Sequence, residues 1–261
     1  MVKQIKIIFC LFFASFILSA CSTTTNDPAD MYKGESSQGI YQKGKAALIN
    51  KDYSEAIKRF EAMDAQYPYD PNTQNGDLYL IYAYYKKDEY ILASSAADRF
   101  IRMHPTHPHV DYAYFMRGLS NFYQNLGVFE RIIAIDLSKR DLTQIQKAFI
   151  DFNELVVRFP SSRYTPTAHQ YMIYLRNTIA KHEFDVAKFY YNRQAYLAAA
   201  NRASIVVTQF QGSPSVPDAM ILMVKAYRHL HLTKLEEDTM RVLKYNYPEI
   251  VVDYDGRYDL R

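Results

Sequence analysis

The chain has 261 residues, 49% hydrophobic and 23% charged, which excludes both a disordered polymer and an integral membrane protein. Its formal charge is +3, or +1 if Lys3 and Lys6 leave with a leader, so it lacks the basic excess of a nucleic-acid binder. With only 8 Gly, long helices are favoured, and the absence of Trp beside 24 Tyr argues against sugar stacking.

Lys3 and Lys6 precede an apolar run from Ile7 to Leu18. As a helix those twelve residues would rise about 18 Å, short of a bilayer core of roughly 30 Å. Residues 1–20 are therefore expected to be a cleaved signal peptide. Leu18-Ser19-Ala20-Cys21 resembles a lipobox, which makes Cys21 the expected acylated N-terminus. Cys10 departs with the leader, so no disulfide can form. Acyl chains at about 0.8 kcal/mol per buried CH₂ make a lasting anchor. Residue 22 is Ser and not Asp; by resemblance to enteric-type lipoproteins this implies the outer membrane, facing the periplasm. Residues 21–38 are polar and turn-rich and are expected to be a lipid-anchored flexible tether.

Beyond Pro28, the prolines fall at 68/71, 105/108, 160/166, 214/217 and 248, with proline-free stretches of helix formers between. Pro suits a first helical turn and disrupts an interior, so each cluster is expected to separate two helical hairpins. The second helices share a pattern: Ala56, Phe60 and Met63 before Tyr67-Pro68; Ala93, Ala97 and Phe100 before His104-Pro105; Ala148, Phe152 and Leu155 before Phe159-Pro160. Ala199, Ala203 and Val206 repeat it with Gln211 in place of Pro, and Met240 and Leu243 give a weaker copy before Pro248. This resembles the tetratricopeptide repeat. The expected fold is all-α: a right-handed α-solenoid of about five tetratricopeptide-like hairpins over 39–248, repeats 1–2 at 39–105 and repeats 3–5 at 106–248. The third repeat is expected to carry an insertion near 125–142, and the fourth a first helix lengthened from about Pro166 to Asn192. Gly44 and Gly118 are expected where two helix backbones cross closely. Phasing the repeats puts Tyr41, Tyr82, Tyr85, Phe115 and Tyr123 along a concave groove suited to an apolar peptide. A phase error of one residue would turn such rings into the core. The tail 249–261 has no assignment.

The chain carries no zinc-protease, nucleophile-elbow, Walker or dinucleotide motif. His104, His107 and His109 could in principle bind zinc, but they sit in a turn between repeats. His229 and His231 flank another turn, and Glu236-Glu237 reads as a solvated helix face. No catalytic residue, metal or cofactor is expected.

Several runs go beyond generic repeats: Leu80-Ile81-Tyr82-Ala83-Tyr84-Tyr85-Lys86, Asp98-Arg99-Phe100-Ile101-Arg102, Met116-Arg117-Gly118-Leu119, and the series from Leu175-Arg176 through Glu183 and Arg193 to Asn201-Arg202. Together they resemble the BamD (ComL) lipoproteins of the β-barrel assembly machinery. That resemblance implies a non-enzymatic subunit helping barrel proteins enter the outer membrane. It also implies three kinds of partner: a BamA-type barrel subunit through its periplasmic domains, accessory lipoproteins, and unfolded clients. Asn201-Arg202 matches a family motif on the barrel-subunit side, making Arg202, with Asn201, Arg193 and Glu183, the expected contact; the rival reading is an internal Arg202–Glu183 ion pair. Phe129 to Ile135 and Leu142 depart from the family's usual glycine-rich stretch and Pro. The alternative function is a pilot lipoprotein for a secretin or type IV pilus.

Overall fold

The computed structural model describes residues 27–124, 126 and 136–251. Signal peptide, Cys21, most of the insertion and the end of the tail lie outside the described residues. Among the described residues the chain forms α-helices and one 3₁₀ turn, with no strand. They are α1 (Ser37–Ile49), α2 (Tyr53–Gln66), α3 (Pro71–Lys86), α4 (Tyr90–Met103), α5 (Val110–Gln124), the 3₁₀ turn (Leu137–Lys139), α6 (Thr143–Arg158), α7 (Thr165–Asn192), α8 (Tyr196–Gln209), α9 (Val216–His229), α10 (Thr233–Asn246) and α11 (Pro248–Val251). The described residues divide into two compact units, with the boundary in sequence at Tyr79/Leu80 in α3.

Four hairpins turn in the same way. Lys51, Asp88, Gln194 and His231 each take the left-handed conformation, φ 57–63°. The next amide donates five residues back, Asp52 to Ala47, Glu89 to Tyr84, Ala195 to Tyr190 and Leu232 to Tyr227, at 2.8–3.0 Å. This is a Schellman closure, usually built on Gly. Asp52 also caps α2, its carboxylate accepting the Glu55 amide at 3.0 Å.

The second helices end alike as well. Tyr67, His104, Phe159, Phe210 and Tyr247 are C-caps with φ from −120° to −137° and ψ from 42° to 62°. A residue before proline avoids the α region, which accounts for four of the five. Phe210 precedes Gln211 and takes the same shape, so its own backbone bonds suffice: its amide donates to Val206 and its carbonyl accepts from Ser213.

Ala56, Ala93, Ala97, Ala148, Ala199 and Ala203 are all fully buried, beside Phe60, Phe100, Phe152, Leu155 and Val206. Gly44 and Gly118 each lie against an aromatic ring. A Cβ on Gly44 would stand 2.8 Å from the Phe60 ring, and one on Gly118 2.7 Å from the Phe152 ring. Each glycine is thus a seat for an aromatic side chain of the following helix. Toward the C-terminus, Ala180, Ala187, Ala199, Ala203 and Ala219 form a floor of small residues under Phe184, Met220 and Leu243.

Part of the expected flexible tether is folded. Asp27 carries an Asx turn, accepting the Ala29 amide at 3.0 Å. Gln66 Nε2 donates to the Pro28 carbonyl at 3.0 Å and also to that of Met31, and the Tyr67 hydroxyl donates to the Glu35 carbonyl at 2.7 Å. Tyr32 adopts φ 55°, a conformation that costs about 1–2 kcal/mol for a side chain other than Gly. Compensation comes from Arg59, whose guanidinium lies 4.1 Å over the Tyr32 ring, and from the Tyr32 hydroxyl donating to Glu55 at 3.0 Å. Burial, then the Glu55 hydrogen bond, push this phenol up to about 12.

The described end of the expected insertion is also clamped. Lys181 of α7 pairs with Asp136 and donates to Ser138 Oγ at 3.2 Å, and His182 Nδ1 sits 2.6 Å from the Ser138 carbonyl. Leu137 and Ser138 are buried beneath them.

Candidate functional site

The second unit holds a continuous ladder of aromatic rings. Tyr85 meets Tyr90 at 5.5 Å and Tyr123 at 5.8 Å, edge to face in both cases. Tyr123 leads to Phe122 at 5.0 Å, and Phe122 to Tyr171 at 5.4 Å. Tyr171 stacks on Phe152 at 5.1 Å, Phe152 meets Phe115 at 6.0 Å, and Phe115 stacks on Tyr164 at 4.9 Å. Aromatic pairs at these spacings stabilise by about 0.5–1.5 kcal/mol beyond their burial. Burial pushes the Tyr85 and Tyr171 phenols upward, and each shares a hydrogen bond with Tyr123. Within this ladder Tyr90, Phe122 and Phe152 are buried, while Tyr85, Phe115, Tyr123, Tyr164 and Tyr171 are half-buried and form its accessible edge.

The five expected groove residues divide. Tyr82 is exposed (37%), and Tyr85, Phe115 and Tyr123 are half-buried. Tyr41 belongs to the first unit and is corrected to core: it is 8% exposed, 6.5 Å from Phe60 and 6.1 Å from Tyr79. Reading the sequence did not mark Tyr90, Phe122, Tyr171 or Tyr174 for this surface. Tyr164, Tyr171 and Tyr174 lie at helical spacings of seven and three, a signal that could have found them. Tyr174 is exposed and meets Phe122 at 6.0 Å.

A charged cluster joins α4, α5 and α6. Arg117, 14% exposed, pairs through Nη1 with Asp98 at 3.1 Å, through Nη2 with Glu154 at 2.6 Å and through Nε with Asp151 at 2.8 Å. Asn121 donates to the other Asp151 oxygen at 2.5 Å. Burial pushes the Asp151 carboxyl up, against the pull of Arg117. The cluster floors a cleft of about 450 Å³ edged by Ser94, Lys147 and Ile150.

On the α7–α8 hairpin, Arg202 pairs with Glu183 at 3.0 Å while keeping 44% of its side chain exposed. Arg193 lies 4.7 Å over the exposed Phe189 ring. Asn201 is exposed, its carbonyl accepting from Ser204 Oγ at 2.8 Å. Among the described residues no three His, Cys, Asp or Glu side chains are placed to hold a metal ion. In the His104–His109 turn, the His104 and His107 rings pack on Phe100, and the His109 amide donates to His107 Nδ1 at 3.1 Å. His229 stacks on Tyr196 at 4.2 Å, and Glu236 accepts from Arg228 at 2.8 Å.

The family described as "Outer membrane lipoprotein" (YfiO) matches residues 33–243. The outer membrane protein assembly factor BamD of Neisseria meningitidis serogroup B is 36% identical over 234 residues, 89% of this chain and 88% of the relative. That of Vibrio cholerae is 31% identical over 230 residues, 88% and 94% of the two chains. The chain belongs to the BamD family. The BamD match takes in the aromatic ladder, the Arg117 cluster and the Arg202–Glu183 pair. Among the described residues no helix is long and apolar enough to cross a membrane.

Proposed function

We propose that the chain is a lipid-anchored, periplasm-facing subunit of the β-barrel assembly complex in the outer membrane, working by binding and not by catalysis. The observation that carries this reading is the BamD match along nearly the whole chain. Two surfaces divide the work. The accessible edge of the aromatic ladder, Tyr85 and Tyr123, with the exposed Tyr82 on the same helix as Tyr85, receives the aromatic-containing C-terminal strand of an unfolded barrel client. Flat rings edged with hydroxyls suit an extended apolar segment whose backbone still needs hydrogen-bond partners. The α7–α8 hairpin, with Arg202, Arg193 and the exposed Phe189 and Leu197, docks the periplasmic domains of the barrel subunit. Exposed aromatic and Arg side chains are the usual anchors of such contacts. An exposed pair such as Arg202–Glu183 is weak enough to be exchanged for a partner's carboxylate.

The test is purification of the full lipoprotein from native membranes in gentle detergent. Stoichiometric recovery of a large barrel protein with periplasmic repeat domains is expected, with loss of that protein for Arg202→Glu. Recovery of a secretin or pilus components instead would replace this reading. Tyr82→Ala with Tyr85→Ala is expected to lower client-peptide crosslinking about tenfold, since each stacking ring contributes about 0.5–1.5 kcal/mol. Unchanged crosslinking would move the client elsewhere.

A further inference from the structure

We infer that Pro28–Glu35 is a clamp that shortens the leash between the lipid on Cys21 and the first hairpin, with Tyr32, Gln66 and Tyr67 as its positioning residues. The inference rests on the acylation of Cys21 proposed above. The contacts come from several directions and meet on one short segment. Gln66 holds two successive turns of it through the Pro28 and Met31 carbonyls, Tyr67 holds the Glu35 carbonyl, and Arg59 covers the Tyr32 ring. Glu35 is held again by its side chain, which pairs with Arg59 at 3.4 Å and Lys43 at 3.0 Å. A polar tether that only linked two objects would gain nothing from ordering these residues, and ordering opposes folding at every one of them.

The consequence is geometric. Without the clamp, sixteen residues separate Cys21 from Ser37, a maximum reach of about 55 Å. With it, seven residues remain, Cys21 to Pro28, and the reach falls to about 25 Å. The first hairpin is thereby held to roughly half its former maximum distance from the lipid.

The experiment uses the full acylated protein in phospholipid vesicles, with Lys58→Cys as the one free thiol for a donor dye and an acceptor-labelled lipid. Lys58 is exposed on α2. Two variants are compared with that parent: Tyr32→Ala with Gln66→Ala, and nine Gly/Ser residues inserted between Thr24 and Thr25 with the clamp intact. Both are expected to lower energy transfer to the labelled lipid, because the maximum reach roughly doubles, with an unchanged helical spectrum. Equal transfer in the parent and the Tyr32/Gln66 variant would overturn the clamp. Should that variant lose its helical spectrum, amide exchange in the parent decides: Met31 and Glu35 are expected to be protected, and exchange at the free-peptide rate overturns the proposal. A parent that fails to associate with vesicles refutes the acylation reading instead, and the same amide exchange still tests the clamp.

Discussion

Removing the Arg117 guanidinium would leave Asp98, Asp151 and Glu154 without their shared cation, with Asp151 almost wholly buried. Truncating the cation strands the buried Asp151, while Asp98 keeps Arg102 and Glu154 keeps Arg158, so Arg117→Ala is expected to cost about 3 kcal/mol in denaturant unfolding. The loss depends on pH in a definite direction. The folded-state pKa of Asp151 lies above its unfolded value, so the native state binds more protons across that window and stability falls as pH rises through it. Arg117 is what pulls that carboxyl down; without it the window extends upward, and the deficit of Arg117→Ala is expected to be larger at pH 7 than at pH 4.5. A pH-independent deficit would mean that packing, not charge, is what Arg117 supplies. Gly118→Ala is expected to cost about 1–3 kcal/mol in the same assay, because the new methyl meets the Phe152 ring at 2.7 Å. Gly44→Ala is its counterpart against Phe60.

At the level of the helix and turn, both departures from the repeat period belong to one device. The fourth repeat's first helix, α7, runs 28 residues, and Lys181 and His182 on its second half grip the segment returning from the third repeat's insertion. The lengthened helix is the platform for Asp136 and Ser138. Lys181, followed by Ser138, draws the Asp136 carboxyl from 3.8 down to about 2. A depressed carboxylate adds stability above its unfolded pKa and loses it as pH falls through the folded one, so this grip is expected to loosen between pH 4 and 2. Amide exchange at Ser138 checks it, and Asp136→Asn should abolish the acid step. The left-handed turn residues give a second expectation. Gln194→Gly relieves a strained φ of 61° and is expected to be neutral or to stabilise by about 0.5 kcal/mol in thermal unfolding, its gain partly offset by a freer unfolded chain. The second helices were legible because Ala56/Phe60 and Ala148/Phe152 repeat a spacing that any burial rule reads. The Lys181 grip was not, because it joins residues 43–45 positions apart through polar groups that carry no periodicity.

Across the whole chain, family and helical organisation could be read from proline spacing and recurring runs, and the BamD match agrees. Which side of each ring faces outward could not. Tyr41 and Tyr82 look equivalent in sequence, yet one packs into the first unit's core and the other is exposed, because a single-residue shift in helical phase decides it. The folded stretch of tether was illegible for a different reason: its residues are turn formers, and side chains far along the chain, Lys43, Arg59, Gln66 and Tyr67, give them fixed partners. The ladder from Tyr85 to Tyr164 also has an optical consequence. Its rings stand 4.9–6.0 Å apart, close enough for excitation absorbed at one tyrosine to migrate among its neighbours, and the chain has 24 Tyr and no Trp. All of its own emission is therefore phenolic. A client strand bearing an indole would drain that excitation on arrival and re-emit at longer wavelength, so the arrival of an unfolded barrel protein can be followed in real time with no label on either molecule.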